Sequence, residues 1–297
     1  MARLGLRPDT RGVVYVEFLI AFFPLLLLFL AICQMALIAS ARLVVQHAAL
    51  AAARSAIVIL EDTPEDFGGA GKGDLSAKPG KAKATPETAL RALGVEVPEA
   101  SPSLLDEISA SVAAVTDADA RPQQGARMQT IRTAAYMPLL ALAPRPEAVR
   151  PGSDPSLGDS LPAGFESRLL FGLQWTRSAS VITVHDVPGS DQLAVEPIEH
   201  KAPITIRTTY LFQCAVPVAR ALICDTLASL LTPPSSFFGT SAADRARSAL
   251  VRRLQLAETP SELQRLADPG ARFAVLTAEA TLPNQGANYT QAEKEGP

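Results

Sequence analysis

From Phe18 to Cys33 the chain reads FLIAFFPLLLLFLAIC, sixteen residues without a charge or a hydrogen-bonding side chain. The apolar character continues past Gln34 through Met35, Ala36, Leu37, Ile38 and Ala39. A bilayer span needs about 20 such residues, so this run is a membrane-spanning helix by length and composition. Arg3, Arg7 and Arg11 precede it against Asp9 alone, and Arg42 and Arg54 follow at wider spacing, which orients the N-terminus towards the cytoplasm. No second run of this kind follows, and residues 42–297 are expected on the outer side of the membrane. A cleaved secretory signal is the rival reading, because Ala39-Ser40-Ala41 is an A-x-A site after a basic and then an apolar region. The apolar segment is longer than an ordinary signal core, however, and the sequence after Ala41 continues as helix instead of opening into a cleavage loop.

Charge excludes one class of partner. With 27 Lys+Arg against 30 Asp+Glu the net charge is −3, so no global field draws nucleic acid to the chain. Catalytic constellations are equally scarce. The three His residues stand at 47, 185 and 200, and no H-x-x-x-H, C-x-x-C or G-x-S-x-G pattern occurs, leaving zinc, metal-hydrolase and serine-hydrolase readings unsupported. The sequence names no metal site, cofactor or catalytic residue, and Trp175 reads as a packing residue before a ligand platform.

The start of the apolar run carries the most specific pattern. Arg11-Gly12-Val13-Val14-Tyr15-Val16-Glu17-Phe18 places a Gly after a basic leader and a lone Glu five residues later. It resembles the processing site of type IV prepilins, in which a peptidase cuts after the Gly. A cut between Gly12 and Val13 would give Val13 a free amino group, cationic at neutral pH, one helical turn before Glu17. A carboxylate at an apolar boundary is costly unless paired, and the new amine of a neighbouring subunit is a matching partner.

Beyond the span, ARLVVQHAALAAARSAIVIL from Ala41 to Leu60 has no Gly or Pro and six Ala among residues 48–56, so it should continue the helix. Val13 to Leu60 would then extend about 72 Å, more than twice the hydrocarbon thickness. Arg42, Gln46, His47 and Arg54 share one arc with Leu43, Leu50 and Ile57, which leaves the amphipathicity weak. Pro24 should kink the span.

The segment GVVYVEFLIAFFPLLLLFLAICQMALIASARLVVQHAALAAARSAIV resembles the TadE-like proteins, pseudopilins of the tight-adherence (Flp/Tad) pilus system. That resemblance implies Gly12 before the cut, Val13 as the mature N-terminus and Glu17 as the assembly carboxylate. It implies a non-enzymatic, single-pass protein of the bacterial inner membrane, with prepilin peptidase and other pilins or pseudopilins as partners and its C-terminal domain in the periplasm.

The remaining sequence divides by composition. Residues 1–12 form the leader, 13–40 the span, 41–60 a helical stalk, 61–86 a flexible linker and 87–297 an outer domain. In the linker, EDTPEDFGGAGKGDLSAKPGKAKATP holds too few large apolar groups to offset the entropy of ordering. Pro86 to Leu142 is mostly helical in spacing, ending in ARMQTIRTAAYMPLLALA, and residues 143–164 are Pro-rich and irregular. Ile204, Ile206, Thr208, Tyr210 and Phe212 alternate with Thr205, Arg207 and Thr209 as a half-buried strand. Arg168–His185 and Arg272–Thr281 give two further strand candidates, and residues 217–231, 242–257 and a capping box at Thr259–Glu262 give helices. The fold class is therefore α+β, a long N-terminal helix followed by a small antiparallel sheet with accessory helices. Cys33 packs as an apolar residue in the span, whereas Cys214 and Cys224 cross a strand-to-helix junction, where a bridge or two buried thiols both fit the spacing.

Overall fold

The computed structural model describes residues 11–67, 71–75, 125–149, 165–190, 202–231 and 265–284, with isolated positions between them. The helix expected at 242–257 and residues 76–124 lie outside the described residues; of the helix expected after Thr259, Leu263, Arg265 and Leu266 are described and are helical. The fold is α+β. Helix α1 (Arg11–Ile59) is followed by a short 3-10 turn (Pro64–Phe67), α2 (Ala126–Leu140), α3 (Pro146–Val149), α4 (Phe165–Ser178), β1 (Ser180–His185), β2 (Ile204–Gln213), α5 (Ala219–Ile223), β3 (Asp225–Thr226), α6 (Leu227–Leu231) and β4 (Arg272–Leu282). The strands form one antiparallel sheet in the order β1-β2-β4-β3.

Helix α1 is 49 residues long, about 74 Å, and Pro24 lies inside it without ending it. Its surroundings change along its length. Tyr15 to Cys33 present a largely exposed apolar surface, and Gln34 is the first fully buried residue among those described. From there Ala41, Val45, Ala48, Ala49, Ala52, Ala53 and Ala56 are buried to 1% exposure or less. These positions recur every three or four residues and form one stripe, which packs on α2, β2 and β4. Arg42, Leu43, Gln46, His47 and Arg54 point the other way and are exposed. The segment named above as a stalk is thus the central helix of the folded domain's core.

Two polar contacts fix the register of α1 on the sheet. Val216 N–H donates to Gln34 Oε1 at 3.0 Å, and Asn284 Nδ2 donates to Glu61 Oε1 at 3.0 Å. Gln34 therefore lies by the start of β4 and Glu61 just past its end, so α1 and β4 run in the same direction. The lengths agree, since residues 34–61 of a helix and 272–284 of a strand each span about 40 Å. Buried Arg127 at the start of α2 closes the C-terminal end of α1. Its guanidinium donates to the carbonyls of Ile59 and Asp62 and lies 4.4 Å from the Phe67 ring centroid. Leu75, within the segment read as linker, is fully buried, and the backbone of Gly73 pairs with that of Ile198. Gly73 has φ +74, and a Cβ there would stand 2.5 Å from the Ile198 carbonyl oxygen, so only glycine fits this approach.

The strand expectation for Arg168–His185 is corrected in its first part. Residues 165–178 are helical and only Ser180–His185 is a strand. Phe171 and Trp175 lie one helical turn apart, and Trp175 stacks on both Phe171 and Phe273, with centroids 6.3 and 5.4 Å away. Aromatic content suggested a strand, but the i, i+4 spacing governs which residues reach the core. Residues 217–231 are likewise not one helix, because the two-residue strand β3 separates α5 from α6. Strand β2 is buried on both faces over its first eight residues, not on one. One face meets the core of α1, and the other holds a polar ladder in which Thr205 pairs with Thr281 and Arg207 with Glu279.

Among the described residues, strand β4 has one open edge. Cys214 N–H donates to Arg272 C=O on the β2 side, whereas Ala271 C=O accepts from Leu227 on the other. By alternation, Val275, Thr277, Glu279 and Thr281 direct their backbone groups away from β2, and no strand among the described residues pairs with them.

The ion pair of the ladder sets an acid limit. Burial raises the Glu279 carboxyl, but the Gly189 N–H, donating at 2.9 Å, and the Arg207 guanidinium outweigh it, helped by the charge of His185, and hold it below its ordinary value. A depressed native pKa stabilises the fold fully above the ordinary value of 4.5, and that stabilisation is lost as pH falls through the lowered one. Thermal midpoints of parent and Glu279→Gln, measured from pH 7 to pH 3, should therefore differ at neutral pH and converge in acid. Equal slopes would remove Glu279 from the account. A second expectation concerns the alanine stripe: Ala52→Leu should destabilise the domain by about 1 to 3 kcal/mol through overpacking. Exposed Leu43→Ala should stay within about 0.5 kcal/mol, both read by unfolding in detergent.

Candidate functional site

The residues singled out by the prepilin-like pattern all lie on α1. Arg11 opens the helix, and the Gly12–Val13 bond falls in its first turn, whose backbone N–H groups have no partner further back in the helix. This is the part of the helix that opens at least cost. Val13 and Glu17 stand one turn apart, at i and i+4. The Glu17 side chain is exposed, set beside the exposed Phe18 and Phe22, whose rings stack 5.4 Å apart. The side chains of Arg11, Val13, Val14 and Val16 lie outside the described residues.

From Glu17 onwards the helix is long and apolar enough to cross a membrane, and 6% of its most apolar 18-residue window is buried in the protein. The core helix of a soluble domain would be buried over that stretch. Here the apolar side chains face outward in every direction as far as Cys33, which is the arrangement lipid or neighbouring helices would solvate. Counted from Glu17, about 20 residues end at Ala36, so the far boundary of a hydrocarbon core falls within one turn of Gln34. The folded domain begins at that boundary with no free stretch of helix between.

A second feature lies at this level; the sequence offered its disulfide as one of two alternatives, but not the exposed shape of the loop that it closes. Cys214 and Cys224 are joined by a disulfide, with Cα atoms 6.6 Å apart, closing the loop AVPVARALI. Val218 takes φ +66, a conformation that a β-branched residue adopts only under constraint. Arg272 Nη1 donates to the carbonyls of Ala221 and Cys224 at 3.2 and 3.0 Å, which holds the end of α5 from beneath. Ala219 is buried, while Val218, Arg220, Leu222 and Ile223 are exposed. The only local signal was a run of apolar residues between two cysteines, which reads equally well as core.

Other candidates resolve into structure. Among the described residues no three His, Cys, Asp or Glu side chains cluster as a metal site would require. His185 is buried at the sheet and its Nε2 lies 2.7 Å from Thr183 Oγ1, while His47 is exposed on α1 and His200 lies outside the described residues. Trp175 is fully buried in the core. A groove of about 360 Å³ runs between α1 and the end of β4, lined by Leu43, Gln46, His47, Leu50, Glu279, Ala280 and Thr281. Its one hydroxyl, on Thr281, is hydrogen-bonded to Thr205 Oγ1 at 3.0 Å.

Comparison with known proteins agrees with the emphasis on α1. No curated protein and no solved structure matches the chain. A family model does match, and it begins at the glycine of the processing-like pattern and ends inside the alanine stripe. Over residues 12–54 the chain is similar to the TadE-like proteins, whose family model it matches there.

Proposed function

We propose that this chain is a membrane-anchored pseudopilin-like component of a tight-adherence pilus or secretion system. It acts by assembly and not by catalysis. The observation that carries the reading is the two-part helix α1, apolar and exposed from Tyr15 to Cys33 and built into the domain core from Gln34 to Leu60. Its N-terminal half is offered to lipid and to other helices, and the C-terminal half couples that half rigidly to the outer domain. In this reading residues 1–12 face the cytoplasm, a prepilin peptidase cuts between Gly12 and Val13, and the domain stands in the periplasm of a bacterial inner membrane. Other pilins or pseudopilins pack on the exposed half, and the Val13 amine of one subunit neutralises Glu17 of the next.

The rival reading, a secreted binding or hydrolytic domain released after Ala41, meets a structural obstacle. Ala41 is 1% exposed inside an uninterrupted helix, and a cut there would also remove Gln34, which ties α1 to Val216. The substrate of a signal peptidase is an extended, accessible segment.

Processing is tested by N-terminal sequencing of the mature protein, which should begin at Val13. Gly12→Leu should retain the precursor mass, because a pocket for the residue before the cut must accept a small side chain. An unchanged mature mass in that variant would discard the prepilin reading. Glu17→Ala should still insert, since removing a charge lowers the insertion cost, and should still be processed. It should lose crosslinking to other pilin-type subunits. Glu17→Gln separates charge from hydrogen bonding; full assembly by both variants would reduce Glu17 to an interfacial residue.

A further inference from the structure

The structure assigns the disulfide-closed loop Cys214–Cys224 a second membrane contact, in which Val218, Leu222 and Ile223 insert into the lipid surface beside the span. This rests on the reading of α1 as a membrane anchor. Three observations converge on it. The first is position: Val216 at the start of the loop is bonded to Gln34, and α5 packs against α1, so the loop sits where the hydrocarbon boundary falls. The second is exposure. Leu222 is 71%, Val218 49% and Ile223 36% exposed, with Leu222 and Ile223 on the short helix and Val218 at its N-cap. A soluble surface has no use for three large apolar groups on nine residues, whereas a surface continuous with a membrane span does. The third is charge. The loop holds no carboxylate, and its single ionised side chain, Arg220, is exposed, where it can meet phosphate headgroups as the apolar groups enter the acyl layer.

The loop is also built to hold that shape without lipid. Its ends are covalently joined, Arg272 fixes the last carbonyls of α5, and Val218 is kept at a positive φ. Apolar side chains held out from the fold in this way incur no ordering cost on contact with the bilayer. Two points of contact, one spanning and one interfacial, would fix the tilt and rotation of the outer domain relative to the membrane.

Brominated acyl chains quench nearby tryptophan, and Trp175, fully buried in the core, supplies a constant background. The full-length chain, with its disulfide confirmed by non-reducing peptide mapping, is reconstituted in phosphatidylcholine–phosphatidylglycerol vesicles with and without bromine. Phe23→Trp reports on the span, Leu222→Trp on the loop, and Val58→Trp on the far end of α1, about 36 Å beyond Gln34. Ile223→Trp replaces Leu222→Trp should the latter fail to fold. The expected result is loss of the added emission at Phe23 and, less deeply, at Leu222, with none at Val58. Quenching at Phe23 with none at Leu222 overturns the loop contact while leaving the anchor intact, and points to a protein partner on that face. Quenching at neither Phe23 nor Leu222 overturns the anchor and the loop contact together. Equal quenching at Leu222 and Val58 also overturns it, since the loop would then hold no special position.

Discussion

Alanine removes most of the side-chain thickness that ordinarily separates a helix from a sheet, and the stripe from Ala41 to Ala56 lets α1 lie closely along β2 and β4. Most of the described structure depends on that contact. The matched lengths of residues 34–61 and of β4 leave no part of either element unsupported, and polar contacts at both ends stop the helix from sliding. Arg127 then satisfies carbonyls at the end of α1 that would otherwise be buried without donors. Because one uninterrupted helix serves both as core and as apolar projection, the domain is joined to its N-terminal segment by a rod and not by a hinge.

The change of surroundings at Gln34 shows how one backbone can satisfy two solvents. Below it, side chains are large and apolar on every face, so no preferred protein partner is implied by the pattern alone. Above it, small residues on one face meet protein while Arg42, Gln46, His47 and Arg54 meet water. The glutamine amide, buried at the transition, accepts a backbone hydrogen bond from the loop that follows β2.

The long apolar run, the continuous helix, and the strands at 204–213 and 272–282 were all legible in the sequence, because each depends on local periodicity or length. The role of residues 41–60 was not. Alanine contributes little contrast between faces, and with Leu43 and Leu50 on the outward arc the stripe becomes visible only once the sheet is laid against it. The helix at 165–178 was obscured for the opposite reason: Phe171 and Trp175 suit a strand by composition, and their spacing matters only when Phe273, a hundred residues away, is in place. Of the candidate functional features, Gly12 and Glu17 stand out because their spacing is local. The exposure of the Cys214–Cys224 loop is a property of the neighbours it lacks, which no local pattern encodes.

The open edge of β4 acquires a different meaning once the direction of α1 is considered. An unpaired strand edge is ordinarily an invitation for a second copy to join antiparallel and continue the sheet. Here β4 and α1 run the same way, so reversing the strand reverses the helix. Two copies inserted in one bilayer share one orientation, and neither can turn over to present its β4 antiparallel to the other. In the proposed anchored state α1 thus denies the edge its most favourable self-pairing, in addition to the charge that Glu279 places on it. The same edge remains available to an extended segment that is free to choose its direction, so in the proposed anchored state the bilayer would act on this sheet as a filter that distinguishes strangers from siblings.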